Sequence, residues 1–161
     1  MRWLTWAALI SFVIDQASKY MVIHVMELWR LRAIDVLPPL LNFRYGENRG
    51  INFGLFDGGS EASRWILVAV ALVISVGVLI WASRTAMSRS AYVAAGLLVG
   101  GAIANVLDRL VYGYVLDFLN DSCCGIENPF VFNLADVFIF AGAIGLVFLA
   151  PNGKASAKKG Q

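Results

Sequence analysis

Apolar residues dominate four stretches of this chain, and polar positions interrupt them in a few places only. The stretches run over about Trp3–Met26, Trp65–Ser83, Ser90–Val111 and Phe130–Ala150. Each is near the length of about 20 residues that an α-helix needs to cross a bilayer. The first is broken by Asp15 to Lys19, the second carries no charge, and the third is rich in Gly and Ala. Trp3, Trp6, Trp65 and Trp81 fall near predicted helix ends, where interfacial aromatic residues belong. Between the first two stretches the period changes. "LNFRY" and "INFGL" alternate apolar and polar positions around the glycine-flanked "GENRG". This pattern predicts a β-hairpin over about Leu41–Leu55 in a loop of about 27–64. Its apolar positions (Leu41, Phe43, Tyr45, Ile51, Phe53, Leu55) have little soluble core to join, so a membrane surface or a substrate is expected to cover them.

Composition agrees with the pattern. Of 161 residues, 59% are hydrophobic and 15% charged, and the mean hydropathy is +0.70. Soluble domains run near 45–50% apolar and about 25% charged. The fold class expected is an all-α integral membrane protein, one domain over 1–150 with a polar tail at 151–161. "MRWLTWAALISFVI" resembles a signal peptide, but no small-x-small cleavage site follows and the apolar pattern resumes at "YMVIHVM". It reads as an uncleaved first span. The net charge of +2 and the lack of a basic cluster outside the tail argue against nucleic acid as a partner.

Charge distribution orients the chain. With four spans both termini share a side, which carries Arg2, Arg84, Arg89, Lys154, Lys158 and Lys159 and no acid. Every Asp and Glu falls on or near the other side. The positive-inside rule then places both termini in the cytoplasm, although Arg30, Arg32, Arg44, Arg49 and Arg64 lie in the first outside loop.

Ionisable residues within spans are costly and mark function. Asp15 and Lys19 are four apart on one helical face, the acid first, which is the better order for an ion pair. In "GGAIANVLDRLVYG", Asn105, Asp108 and Arg109 share a face, while adjacent Asp108 and Arg109 each need other partners. Gly96, Gly100, Gly101 and Ala102 permit close helix packing. Asp117 follows the third helix in "YVLDFLND", and "FNLAD" puts Asn133 and Asp136 on the first turns of the fourth, with Asn133 placed to cap it. Taken singly, each acid reads as a cap, a surface group or part of a packing network. Asp117 and Asp136 together, both at the outer membrane edge, suit a shared-proton carboxylate pair. Such a pair supplies a base and an acid at one pH, as water-mediated peptide hydrolysis requires.

Other chemistries fare worse. His24 is the sole histidine. Ser18 and Lys19 are helical neighbours that point apart. Adjacent Cys123 and Cys124 lack zinc-like spacing and suit no ordinary disulfide. No metal or cofactor is called for, although an all-carboxylate site for a hard cation stays open. Two rivals from other classes also stay open, a small proton-coupled transporter and a membrane assembly factor. The clustering of acids at one edge disfavours a relay across the membrane.

"DQASK", "ENRGINFG", "GGAIANVLDR", "YVLDF" and "FNLAD" occur in that order at these positions. They resemble the successive motif blocks of bacterial lipoprotein signal peptidase (signal peptidase II) over about Asp15 to Asp136. The resemblance implies four transmembrane helices, a small extracytoplasmic β-cradle and an aspartyl endopeptidase of the inner membrane. It implies cleavage of a prolipoprotein just before a diacylglyceryl-modified cysteine, with membrane lipid around the enzyme, no cofactor, and action as a monomer. Carried over by motif, Asp117 and Asp136 are the catalytic pair. Asp15, Lys19, Asn48, Gly50, Asn105, Asp108, Arg109 and Asn133 fall on the positions that orient the pair or the substrate. A signal peptide with its N-terminus in the cytoplasm presents its cleavage site at the outer membrane edge, where both aspartates are expected.

Overall fold

The computed structural model describes residues 1–38, 40–50, 61–121 and 128–149. Helix α1 (Arg2–Lys19) runs directly into a π-helical segment, Tyr20–Val25, and a short α2 (Leu28–Leu31) follows. Strands β1 (Ala33–Leu37) and β2 (Leu41–Asn48) come next, then the helices α3 (Glu61–Arg84) and α4 (Arg89–Val111). Strand β3 (Val115–Asn120) separates α4 from α5 (Leu134–Leu149). Two of these helices, α3 and α4, are long and apolar enough to cross a membrane, and α5 is a shorter apolar helix. Among the described residues the chain is thus mostly helical with one small sheet.

Helix α4 is the hub. Its small residues bring two other helices to backbone contact, the arrangement expected where lipid removes the hydrophobic drive for association. A Cβ on Gly100 would collide with Ser11 Oγ and the Ala8 carbonyl of α1. On the other side, a Cβ on Gly142 of α5 would lie 2.6 Å from the Ala94 carbonyl of α4. The face of α1 turned inward is Leu4, Ala7, Ser11, Asp15 and Lys19, spaced by three or four residues as one helical stripe. Helix α3 is peripheral and buries only Val68, Ser75 and Ala82, seven apart on one line. Ser88 starts α4 as its cap, with Oγ accepting from Ala91 N–H at 3.2 Å. Large side chains such as Val73, Phe140, Val147 and Phe148 stay exposed, as a lipid-facing surface would require.

The sheet has the order β1-β2-β3, antiparallel throughout. This corrects the expected hairpin in one respect. Gly46, Glu47 and Asn48, placed by their glycines in a turn, continue β2 and pair with Asp117, Leu116 and Val115 of β3. The partner strand comes from beyond α4, a pairing that local alternation does not reveal. Beyond β2, Gly50 has a φ of +102°. Ile51 to Leu55, the second arm of the expected hairpin, and Cys123, Cys124 and the 151–161 tail lie outside the described residues. The sheet also finds a core of its own. Phe43 and Tyr45 pack against Val22, Ile23, Leu28, Leu116 and Phe118, with the Phe43 and Phe118 rings edge-to-face at 5.6 Å. The π-helical segment and α2 supply this apolar floor, so these two residues need no external cover.

Candidate active site

The C-terminal ends of α1 and α4, the N-terminus of α5 and strands β2 and β3 meet at one place. Asn133 organises it. Its Oδ1 accepts from Asp136 N–H at 2.9 Å, capping α5 as the sequence suggests. Asp136 Oδ2 accepts in return from Asn133 N–H at 3.4 Å, the reciprocal arrangement of a capping box. Asn133 Nδ2 then donates to Asp117 Oδ1 at 2.6 Å. One residue therefore bonds to both carboxylates, one from β3 and one from α5.

Each carboxylate has a second donor. Asn105 Nδ2 of α4 donates to Asp136 Oδ1 at 2.8 Å. Asn48 Nδ2, at the end of β2, donates to Asp117 Oδ2 at 3.1 Å. The Asn48 side chain is fixed in turn, because its Oδ1 accepts from Gly50 N–H at 3.1 Å. Gly50 itself has a left-handed backbone, which glycine adopts without a Cβ penalty. A Cβ at Gly50 would also meet Leu67 Cδ1 at 2.6 Å. Gly50→Ala is expected to cost about 1–3 kcal/mol in local strain and steric shift and to loosen Asn48. A differential scan of the purified protein and a turnover assay should both register the change.

Behind the pair lies a fully buried charge network. Lys19 Nζ is 2.7 Å from Asp15 Oδ2 and 2.7 Å from Asp108 Oδ2. The expected Asp15–Lys19 pair is therefore present, and Asp108 finds there the partner that Arg109 could not be. Asp15 Oδ1 accepts from Ala135 N–H at 2.8 Å, so α1 helps to hold the first turn of α5. Asp108 Oδ2 accepts from Leu116 N–H at 3.1 Å, fixing the strand residue beside Asp117. Lys19 Nζ also donates to Asn105 Oδ1 at 3.4 Å, which leaves the Asn105 amide nitrogen turned towards Asp136. Arg109 is half-buried, donates from Nη1 to the Asn105 carbonyl at 3.3 Å, and lies in the field of Asp136, Asp117 and Asp108. All ten residues singled out from the sequence thus belong to one bonded set.

Gln16 was not among them. Its Nε2 donates to Asp108 Oδ1 at 2.9 Å and reaches Asp15 Oδ2 at 3.3 Å. Its signal in the sequence was an amide beside an acid inside an apolar stretch, which is costly in lipid unless it is bonded.

Burial shapes the electrostatics. Asp117 is 2% exposed. Its carboxyl is pushed up to about 7, first by burial and then by the charge of Asp136, while bonds from Asn133 and Asn48 oppose the shift. A groove of about 490 Å³ opens over Asp117 between Gly46–Gly50 and Pro129–Val131. A second, apolar groove of about 510 Å³ descends from Asp136 along Val137, Phe140 and Ile144 of α5. Each of the two carboxylates thus lines a groove of its own.

Known proteins resemble this chain in sequence and fold. Residues 7–150 match the family described as Signal peptidase (SPase) II. The chain is 41% identical over 143 residues to the lipoprotein signal peptidase of Alteromonas mediterranea, covering 88% of this chain and 76% of that one. It is 40% identical over 146 residues to the lipoprotein signal peptidase of Methylorubrum extorquens, covering 88% and 81%. Among solved structures, a bacterial membrane enzyme determined by the in meso method at 2.3 Å aligns with a TM-score of 0.69 and 27% identity, over 98% of this chain and 92% of that one. A second such enzyme, at 1.9 Å, aligns with a TM-score of 0.76 at 24% identity over 98% and 94%, a likeness of fold.

Proposed function

The chain belongs to the signal peptidase II family of lipoprotein-processing proteases, and on that premise we propose that Asp117 and Asp136 hydrolyse the signal peptide of a diacylglyceryl-modified prolipoprotein. The observation that carries this reading is the Asn133 bridge, with one bond of 2.6 Å to Asp117 and a mutual cap with Asp136.

In this mechanism the pair shares one proton. Asp117, raised towards neutrality by burial and by Asp136, holds it and donates a hydrogen bond to the scissile carbonyl oxygen. Asp136 takes a proton from water, whose oxygen attacks the carbonyl carbon. The tetrahedral intermediate collapses with cleavage of the C–N bond and protonation of the amine of the cysteine that follows. Asn105, Asn133 and Asn48 act as donors that keep the two carboxylates aimed. Arg109 offsets the negative charge that accumulates near the pair, and Lys19 with Asp15 and Asp108 holds the frame. Incubation with a synthetic diacylglyceryl prolipoprotein, in the presence of a chelator, tests the reading. Cleavage just before the lipidated cysteine supports it, and an inert protein contradicts it.

The proposed placement is a bacterial inner membrane crossed four times, with both termini cytoplasmic and the site at the outer edge. The paired ends support it. Arg2, Arg84 and Arg89 mark one end of the helices, while Asp117 and Asp136 lie at the other.

A pH dependence follows from Asp117. Its folded-state carboxyl lies above its ordinary value. Between about 4 and about 7 the native protein therefore holds a proton that the unfolded chain, near the usual aspartate value of about 4, has already lost. Its linked stability is full at pH below about 4 and is lost as pH rises through about 7. Catalysis loses the same proton, so kcat/KM should fall as pH rises through about 7. A profile flat from pH 6 to about 9 would contradict a proton held by Asp117.

A further inference from the structure

The groove over Asp117 has two walls, and only one of them belongs to a continuous strand. Glu47 and Asn48 of β2 stand on one side, and Pro129, Phe130 and Val131 on the other. Asn120 ties the second wall down. It ends β3, three residues after Asp117, and is wholly buried. Its Nδ2 donates to the Asn128 carbonyl at 2.8 Å and to the Phe130 carbonyl at 2.8 Å. Asn128 reinforces the tie, its Oδ1 accepting from Phe130 N–H at 3.0 Å and its Nδ2 donating to Asp121 at 2.8 Å. Leu119 and Phe132 then close the segment onto β3, Leu119 N–H to the Phe132 carbonyl at 2.8 Å and Phe132 N–H to the Leu119 carbonyl at 3.0 Å. At the floor the walls nearly touch, since a Cβ on Gly46 would stand 3.3 Å from Val131 Cβ.

We infer that Asn120 is a positioning residue that holds Pro129–Val131 as the second wall of the peptide groove and so sets affinity for the peptide part of the substrate. This rests on the reading of Asp117 as part of the active site. Among the described residues, the partners of the Asn120 Nδ2 are two carbonyl oxygens, which call for a neutral group with two hydrogens on one nitrogen, as a primary amide supplies. With that donor gone, two carbonyls lose a partner and turn towards water, and the wall must be ordered anew at each binding event. Among the described residues, the bonds to the Asp117 and Asp136 carboxylates come from Asn48, Asn105 and Asn133 and not from Asn120, so the chemical step keeps its geometry.

Asn120→Leu removes the donor at similar volume, and turnover of the synthetic diacylglyceryl prolipoprotein is the assay. The expected result is a KM raised about tenfold or more with kcat within about threefold of wild type. Asn128→Ala, at a partly exposed side chain, should raise KM about threefold and keeps the test alive if Asn120→Leu does not fold. The inference is overturned if KM stays within about twofold of wild type in the folded variants, or if the loss falls on kcat alone. Failure of the underlying reading looks different, because the wild type would then be inert on this substrate, or Asp117→Asn would remain active.

Discussion

Asp117→Asn and Asp136→Asn are each expected to lower turnover of a lipid-modified substrate by roughly 10²–10⁴-fold, the range for removal of a positioned acid or base. The substitutions preserve shape and replace one carboxylate oxygen by an amide nitrogen. At Asp117 two opposing changes should leave a modest effect on the fold. Its folded-state carboxyl is raised, so burial already disfavours the charge, and asparagine has none to bury. The Asn133 and Asn48 amides now meet an amide group, and one of them loses its acceptor. Asp136→Asn should behave differently. Asp136 also caps α5 by accepting from Asn133 N–H, so that variant should lose a small increment of stability, about 0.5–2 kcal/mol for a lost cap. Insertion and unfolding midpoints measured beside turnover separate the two effects. An Asp117→Asn protein that turns over normally would remove Asp117 from the chemistry.

Lys19→Met carries the second large effect, on stability. Lys19 Nζ sits between the Asp15 and Asp108 carboxylates at 2.7 Å from each, and the side chains are almost fully buried. Methionine keeps the length and removes the charge. Two buried carboxylates then face each other with no cation between them. Removing one partner of a buried ion pair typically costs about 3–5 kcal/mol. The lost hydrogen bond to Asn105 should reach the site as well, since Asn105 then has no cation holding its oxygen away from Asp136. Lys19→Met with Asp108→Asn should regain part of the stability, because one of the opposed charges is gone. Denaturant unfolding in detergent micelles measures both variants. A single variant as stable as wild type would show that the triad is not what locks α1 to α4.

Much of this site was legible because helices report their faces through spacing. Asp15 with Lys19 and Asn105 with Asp108 are separated by one helical turn, so their convergence is visible before folding. Asn133 reads as a helix cap from its place before an apolar run, and its Oδ1 accepts from Asp136 N–H, while the return bond from Asn133 N–H to Asp136 is seen only in the structure. Strand β3 was harder to read. Val115, Leu116, Asp117 and Phe118 are buried in succession, so no alternation announces a strand. Without a visible β3, Gly46 to Asn48 have no partner in the sequence, and the glycines of "GENRG" suggest a turn where β2 continues. The partners of Asp108 were hidden for a related reason. Leu116 N–H and Gln16 reach it from other elements, and pairing between elements leaves no local period. The π-helical segment at Tyr20–Val25 left no mark either, since "YMVIHV" suits any apolar helix.

The central claim is that two carboxylates hydrolyse a lipid-anchored peptide. Its most direct measurement follows a diacylglyceryl prolipoprotein in chelator, with wild type beside Asp136→Asn and the products identified by mass. The account predicts that wild type cuts just before the lipidated cysteine and that the folded Asp136→Asn protein does not cut. Near-normal turnover by Asp136→Asn, or loss of wild-type cleavage on chelation, would contradict it.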